Sequence, residues 1–251
     1  MWSELEDERG KWCGMTTDFW KEGVSIQPHF LSAAECQKYC ESVLALDRSV
    51  GLPLIERQVR ERSLRYKVVD GRIIGDALPE IDELTARVEE ALEHTCGPGL
   101  RPIDDAVAAR NINVTPPGGE YRWHYDRNAA TAVIYLNEVP GGETEIFPNY
   151  RLLLRGGRYP RIQQRLDDML RPRIVRRLFG HLKVVVPRQG TMVIMRGNTT
   201  LHSVRAVLGD DDRIAVVLAY DFPGRGHRRA ALNSYLYTSA SPAEGDPNYS
   251  A

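Results

Sequence analysis

ARNINVT (109–115), YRWHYD (121–126), TAVIYLNEV (131–139), ETEIFP (143–148), LKVVVP (182–187), GTMVIMR (190–196), LHSVRAV (201–207) and RIAVVLAYDF (213–222) are the runs on which the fold turns. Each is short and rich in β-branched or aromatic residues, which suit a pleated, half-buried surface. Turn chemistry separates them: PPGG at 116–119, PGG at 140–142, PRQG at 187–190, RGN at 196–198 and GDDD at 209–212. Many short strands punctuated this way predict a sandwich or barrel.

One segment inside this region breaks the pattern. Residues 149–181 contain nine arginines and read as helical around RIQQRLDDML and RPRIVRRLF, with Pro172 dividing the two. Upstream, residues 1–23 are polar and aperiodic and read as a loosely held lead-in, followed by a first strand from Val24 to Phe30. Ser32, with Glu35 at the capping-box position, predicts a helix through about Leu46. A strand is expected at Arg65–Val69. Pro79 is expected to open a second helix, PEIDELTARVEEALEHT, with acids in its first turns and Gly97 near its end. The organisation expected is one domain across 1–251: a helical N-terminal support over 1–106, a β core over 107–223 carrying the helical insert 149–181, and a flexible tail over 237–251.

Composition bounds the rest. A chain of 251 residues with 42% hydrophobic and 27% charged residues is an ordinary globular protein, large enough for a real core. Its net charge of -1 gives no global attraction to nucleic acid or to an anionic membrane, so neither is expected as a partner. The four cysteines, at 13, 36, 40 and 96, form no CxxC and read as free thiols, implying a reducing compartment. There is no apolar run of membrane-spanning length and no apolar signal core in MWSELEDERGKW, so a cytoplasmic location is expected.

WHYD, residues 123–126, carries the chemistry. In an extended strand residues i and i+2 share a face, so His124 and Asp126 can approach one metal together. Two imidazoles and one carboxylate suit Fe(II) and leave open positions for a bidentate keto-acid and O2. An HxD by itself reads equally well as a surface loop. His202, in TLHSVRAV after the strand GTMVIMR, supplies the second imidazole. The other four histidines, His29, His94, His181 and His227, lack such a strand context and read as structural or surface groups.

Arg213 follows the GDDD turn and is read as returning beside the strand of His202. Its face is shared by Ala215, Val217 and Ala219, so an unpaired guanidinium there is costly. A bound carboxylate explains it, because the guanidinium fork matches a carboxylate. An ion pair with Asp210, Asp211 or Asp212 is the competing explanation.

At these residues the chain resembles a known family. From about 107 to 223 it is similar to the 2-oxoglutarate/Fe(II) oxygenases of the prolyl 4-hydroxylase-like type. The resemblance rests on WHYD, on TAVIYLNEVPGGETEIFP (131–148), on LKVVVPRQGTMVIMRGNTTLHSV (182–204) and on GDDDRIAVVLAYDF (209–222). It implies a mainly β fold with flanking helices, its core a double-stranded β-helix, or jelly-roll. It also implies that His124, Asp126 and His202 bind Fe(II), and that Arg213 holds the distal carboxylate of 2-oxoglutarate. Tyr135 is expected to assist that carboxylate, and Asn113 or Thr115 to reach the keto-acid end. Asp126 argues against halogenation, since related halogenases have a small residue there.

The resemblance implies a metal enzyme that couples O2 reduction and 2-oxoglutarate decarboxylation to oxidation of an aliphatic C–H bond. Hydroxylation is the default, and desaturation or cyclisation uses the same ligands. A small amino-acid-like or specialised-metabolite substrate is expected, with a peptidyl or protein hydroxylase as the alternative. A non-catalytic jelly-roll binding module and a cupin-type dioxygenase that does not use 2-oxoglutarate are the readings from other classes. Arg122, two residues before His124, can pair with a substrate carboxylate or with an acidic neighbour at the barrel mouth. The arginine-rich insert reads either as a lid over the mouth or as a solvated basic face. Oligomeric state is not legible.

Overall fold

In the computed structural model, residues 18–57, 62–154 and 160–224 are described. In chain order the strands are β1 (Val24–Gln27), β2 (Ile55–Arg57), β3 (Leu64–Val69), β4 (Arg101–Pro102), β5 (Arg110–Thr115), β6 (Tyr121–His124), β7 (Ala130–Tyr135), β8 (Thr144–Phe147), β9 (Lys183–Val185), β10 (Met192–Met195), β11 (Leu201–Val204) and β12 (Arg213–Asp221). The helices are α1 (Phe19–Glu22), α2 (Ala33–Val50), α3 (Ile74–Ala77), α4 (Ile81–Cys96), α5 (Pro160–Leu170) and α6 (Arg173–Phe179). Eight strands form a larger sheet in the order β1-β10-β7-β12-β5-β3-β2, with β4 also on β12, and four form a smaller sheet in the order β6-β11-β8-β9. All pairings are antiparallel. The two sheets face each other as a jelly-roll, the double-stranded β-helix expected from the sequence.

Period-2 alternation gives the larger sheet two apolar faces. Ile214, Val216, Leu218 and Tyr220 of β12 point outward with Ile112 and Val114, and pack against Leu84, Val88 and Leu92 of α4 and Val43 of α2. Ala215 of the same strand points inward, with Val133, Tyr135, Val193 and Met195, against Ile146 and Val185 of the smaller sheet. The helices therefore brace the outer face, and the inner face is left for the space between sheets.

Local chemistry sets the helix ends. Ser32 and Glu35 close a reciprocal capping box on α2, with Ser32 N donating to Glu35 Oε2 at 2.8 Å. Helix α4 begins at Ile81 rather than at Pro79, because Ile81 N–H is already engaged by Leu78 O in a preceding turn. Pro172 does divide the insert, standing as the N-cap of α6.

Three expectations need correction. β11 and β12 do not form a hairpin: β11 pairs in the smaller sheet and β12 in the larger, so residues 205–212 cross between sheets. The N-terminal 106 residues are more than helical support, since they supply β1–β4 to the larger sheet. Within the lead-in, Phe19 is buried in the main core and Trp20 Nε1 donates to Cys96 O at 2.8 Å, so residues 18–23 are docked. Residues 1–17 and the expected tail at 237–251 lie outside the described residues. Cys36, Cys40 and Cys96 are free, and burial pushes their thiols up to about 11, about 12 and about 12. No helix among the described residues is long and apolar enough to cross a membrane.

Candidate metal centre

The pairing of β6 with β11 places His124 directly opposite His202. Strand β6 ends at His124, so Asp126 is not carried by strand alternation. Its N–H instead donates to Gly197 O at 3.1 Å, which ties it to the turn between β10 and β11. At Gly197 a Cβ would lie 2.9 Å from Asp126 Cβ and 2.7 Å from Asn128 O, so only glycine lets the two segments close this far. The ligand atoms of His124, Asp126 and His202 all lie within 4.8 Å of one another.

Each side chain is aimed by a second contact. The Nδ1 atoms of His124 and His202 lie 2.9 Å from Arg122 O and 3.1 Å from Thr200 O. A carbonyl oxygen only accepts, so each Nδ1 carries the proton and each Nε2 keeps its lone pair. Those Nε2 atoms stand 3.5 and 3.7 Å from Asp126 Oδ1. The other carboxylate oxygen, Oδ2, accepts the Thr131 hydroxyl at 2.5 Å, and Asn128 Nδ2 donates to Thr131 Oγ1 at 2.9 Å. Burial, and then the neighbouring His202, hold the His124 imidazole well below the ordinary histidine range. A neutral imidazole is the form that binds a metal.

Arg213 faces this cluster from the larger sheet. It is 3% exposed, and its guanidinium lies 5.0 Å from the Tyr135 ring and donates to Thr144 Oγ1 at 3.3 Å. Tyr135 OH donates to the same Thr144 Oγ1 at 2.8 Å, which ties the two sheets together beside Arg213. Burial lowers the Arg213 pKa, yet the group has no ion pair among the described residues, and its Nε has no hydrogen-bond partner. The alternative pairing with Asp210, Asp211 or Asp212 is not made. A buried cation with an orphaned donor fits a ligand carboxylate.

The PGG turn explains how Arg213 reaches its place. Gly142 has φ +65, and a Cβ there would lie 2.8 Å from Arg213 Cδ. Thr115 lies opposite Arg213 in the β5–β12 register, and Asn113 and Tyr135 lie opposite Ala215 from the two neighbouring strands. All three therefore project from the face that carries Arg213. Arg122 is 2% exposed, and its charge also disfavours protonation of His124. Of the remaining histidines, His29 sits in a turn at φ 59, His94 and His181 are exposed, and His227 lies outside the described residues.

Sequence reading missed Thr131 and Thr144. Counting back by twos from Tyr135 along TAVIY would have put Thr131 on the inner face, whereas Thr144 has no comparable signal. The insert is placed by aromatic packing. Phe147, Tyr150 and Leu201 form a cluster on the outer face of the smaller sheet with Trp123, Tyr125 and Leu170. Tyr150 and Leu170 of the insert pack on that outer face, while Arg151, ion-paired with Asp167, lies 4.9 Å from the Tyr125 ring next to Asp126.

The sequence model of the 2OG-Fe(II) oxygenase superfamily matches residues 110–221. No curated protein matches the sequence. Among solved structures, the chain is similar to the non-heme alpha ketoglutarate dependent carbocyclase SnoK from nogalamycin biosynthesis, at 20% identity and TM-score 0.63, over 91% of this chain and 92% of that one. The epimerase SnoN of the same biosynthesis is similar at 18% identity and TM-score 0.60, over 83% and 88% of the two chains. A Pseudomonas putida prolyl-4-hydroxylase is similar at 20% identity and TM-score 0.51, over 82% and 96%. The family match runs from the first residue of β5 to the last of β12, on a jelly-roll whose metal-capable cluster stands between those strands, and over residues 110–221 the chain is therefore similar to the 2OG-Fe(II) oxygenase superfamily, whose members depend on Fe(II) and 2-oxoglutarate.

Proposed function

We propose that the chain oxidises an aliphatic C–H bond of a small molecule, with His124, Asp126 and His202 holding iron and Arg213 holding the far carboxylate of 2-oxoglutarate. The observation that carries this reading is the convergence of three ligand atoms within 4.8 Å beneath a buried arginine with an orphaned donor. Iron held by His124, Asp126 and His202 would supply O2 activation coupled to decarboxylation of 2-oxoglutarate.

The protein's own residues supply orientation and dryness. Thr131 fixes the Asp126 carboxylate so that Oδ1 faces both Nε2 atoms. Arg213 and Thr144 receive the distal carboxylate, with Tyr135 held in line by its bond to Thr144. Asn113, or Thr115 beside it, is assigned to the keto-acid end on the strength of its inner-face register. The apolar wall of Ile146, Val133, Val193 and Met195 excludes water, which strengthens each charge-assisted contact inside. Arg122, on the strand of His124, is assigned to an anionic group of an amino-acid-like substrate.

A small-molecule substrate is supported by the two neighbours named for nogalamycin biosynthesis, whose folds match over most of this chain. Aerobic incubation with Fe(II) and labelled 2-oxoglutarate, following succinate, tests the reading. Slow succinate formation alone is expected, rising when a metabolite pool is added and not when proline-containing peptides are added. Stimulation by the peptides alone would assign the chain to peptidyl hydroxylation, and absence of succinate under every condition would defeat the proposal.

A further inference from the structure

The outer face of the smaller sheet carries a groove that the oxygenase chemistry does not use. It is a half-open groove of about 430 Å³ with Trp123 and Phe147 in its wall. Five arginines line it, Arg62, Arg173, Arg176, Arg177 and Arg205, against a single acid, Glu145. On a chain whose net charge is -1, this is a concentrated local excess of positive charge.

Three of the guanidinium groups are fixed in place. Arg62 lies 2.9 Å from Glu145 Oε2, donates to Ser203 Oγ and stacks 5.3 Å from the Trp123 ring. Arg205 lies 2.6 Å from Glu145 Oε1. Arg176 is 5% exposed, stacks 4.6 Å from the Trp123 ring and donates to Arg171 O at 2.5 Å. Arg173 and Arg177 are exposed, one helical turn apart on α6 and so on one face, and make no ion pair among the described residues. Glu145 and Glu120, the latter 3.7 Å from Arg62, engage Arg62 and Arg205, so the exposed Arg173 and Arg177 are the guanidinium groups left to take an added anion. Planar guanidinium forks match phosphate oxygens bidentately, and a groove of about 430 Å³ has the size of a small-molecule site rather than of an extended peptide or nucleic-acid track.

We propose that this arginine-lined groove, on the opposite side of the sheet from the iron ligands, binds a small phosphorylated molecule through Arg173, Arg177 and the preset guanidinium groups of Arg62, Arg176 and Arg205. The groove wall is the reverse of the ligand-bearing strands. Trp123 precedes His124, and Ser203, held by Arg62, follows His202. Trp123 fluorescence therefore reports occupancy directly.

The test is titration of the full chain with fructose 1,6-bisphosphate, by calorimetry and by tryptophan fluorescence. Fe(II) and saturating 2-oxoglutarate are present without O2, and ionic strength is fixed. One-to-one saturable binding is expected, with a fluorescence change that disappears in Trp123→Phe while the heat remains. The double variant Arg173→Gln/Arg177→Gln should weaken binding by about tenfold or more for each arginine removed, since each contact is charge-assisted. Arg188→Gln, an exposed arginine outside the groove, should leave binding unchanged, and basal succinate formation should survive in all three variants. Absence of saturable heat, equal weakening by Arg188→Gln, or displacement of the sugar bisphosphate by a polyglutamate peptide would each overturn the proposal.

Discussion

In the proposed site, Thr131 and Arg213 have separate tasks. The Thr131 hydroxyl occupies one oxygen of Asp126 and so presents the other to both histidines. Partners of this kind fix ligand orientation, and their loss costs about 10- to 100-fold in metal affinity or activity. Thr131→Val keeps the shape and removes the donor. It is expected to weaken Fe(II) binding by that order while the Michaelis constant for 2-oxoglutarate moves little; unchanged iron affinity on titration would show that Asp126 is held by other contacts. Arg213→Gln should do the reverse. A charge-assisted contact contributes roughly 1.5–3 kcal/mol, so the Michaelis constant for 2-oxoglutarate should rise about ten- to a hundredfold with iron affinity intact. Pyruvate, which lacks the distal carboxylate, should lose its disadvantage in that variant. A 2-oxoglutarate dependence identical to that of the unmodified protein would move the anchor elsewhere. The convergence of His124, Asp126 and His202 and the burial of Arg213 were legible in the sequence because these residue types are chemically demanding. Thr131 and Thr144 were not, because a threonine in a strand is ordinary until its hydroxyl is seen to have a partner.

Elements were legible where alternation or caps recorded them, and illegible where the question was which surface they cover. The strand runs beyond residue 107 declared themselves, and Ser32 with Glu35 marked the start of α2. GDDD reads the same whether it closes a hairpin or carries the chain from one sheet to the other, so the sheet change before Arg213 went unseen. Phe19 and Trp20 had no periodic neighbours to announce them. The insert is the clearest case: its sequence shows helices and arginines, and only packing shows that they lie behind the smaller sheet. Gly180 marks the closest approach, where a Cβ would lie 2.5 Å from the Phe147 ring and 2.7 Å from Arg176 O. Gly180→Ala should therefore destabilise the protein by about 1–3 kcal/mol through overpacking and loosen α6. Hydrogen exchange across 160–179 should quicken in the variant, and in the unmodified protein it should be insensitive to substrate. Protection that rises on substrate binding would favour the lid over the solvated face.

At the scale of the whole molecule the larger sheet is a partition. One face belongs to the helices and the other to the site, and adjacent residues of β12 serve opposite sides: Ile214 and Val216 pack outward while Arg213 and Ala215 face the metal cluster. Because side chains alternate across a strand, stability and catalysis can be perturbed separately. Leu84 of α4 is 1% exposed and packs on the outer face, with the sheet between it and Arg213. Leu84→Ala removes buried methyl groups and leaves a cavity, which costs about 2–5 kcal/mol. For a chain of this size each kcal/mol lowers the melting temperature by roughly 2–4 °C, so a fall of about 4–20 °C is expected by calorimetry. At 25 °C the variant remains folded, and its iron affinity and Michaelis constant for 2-oxoglutarate should match those of the unmodified protein. Arg213→Gln supplies the complementary arm, with a large kinetic effect and a small thermal one, because it removes a buried charge with an orphaned donor. Should Leu84→Ala instead raise the Michaelis constant in proportion to the stability it loses, the sheet would be transmitting strain from the helices to the site, and the division of labour between its faces would be wrong.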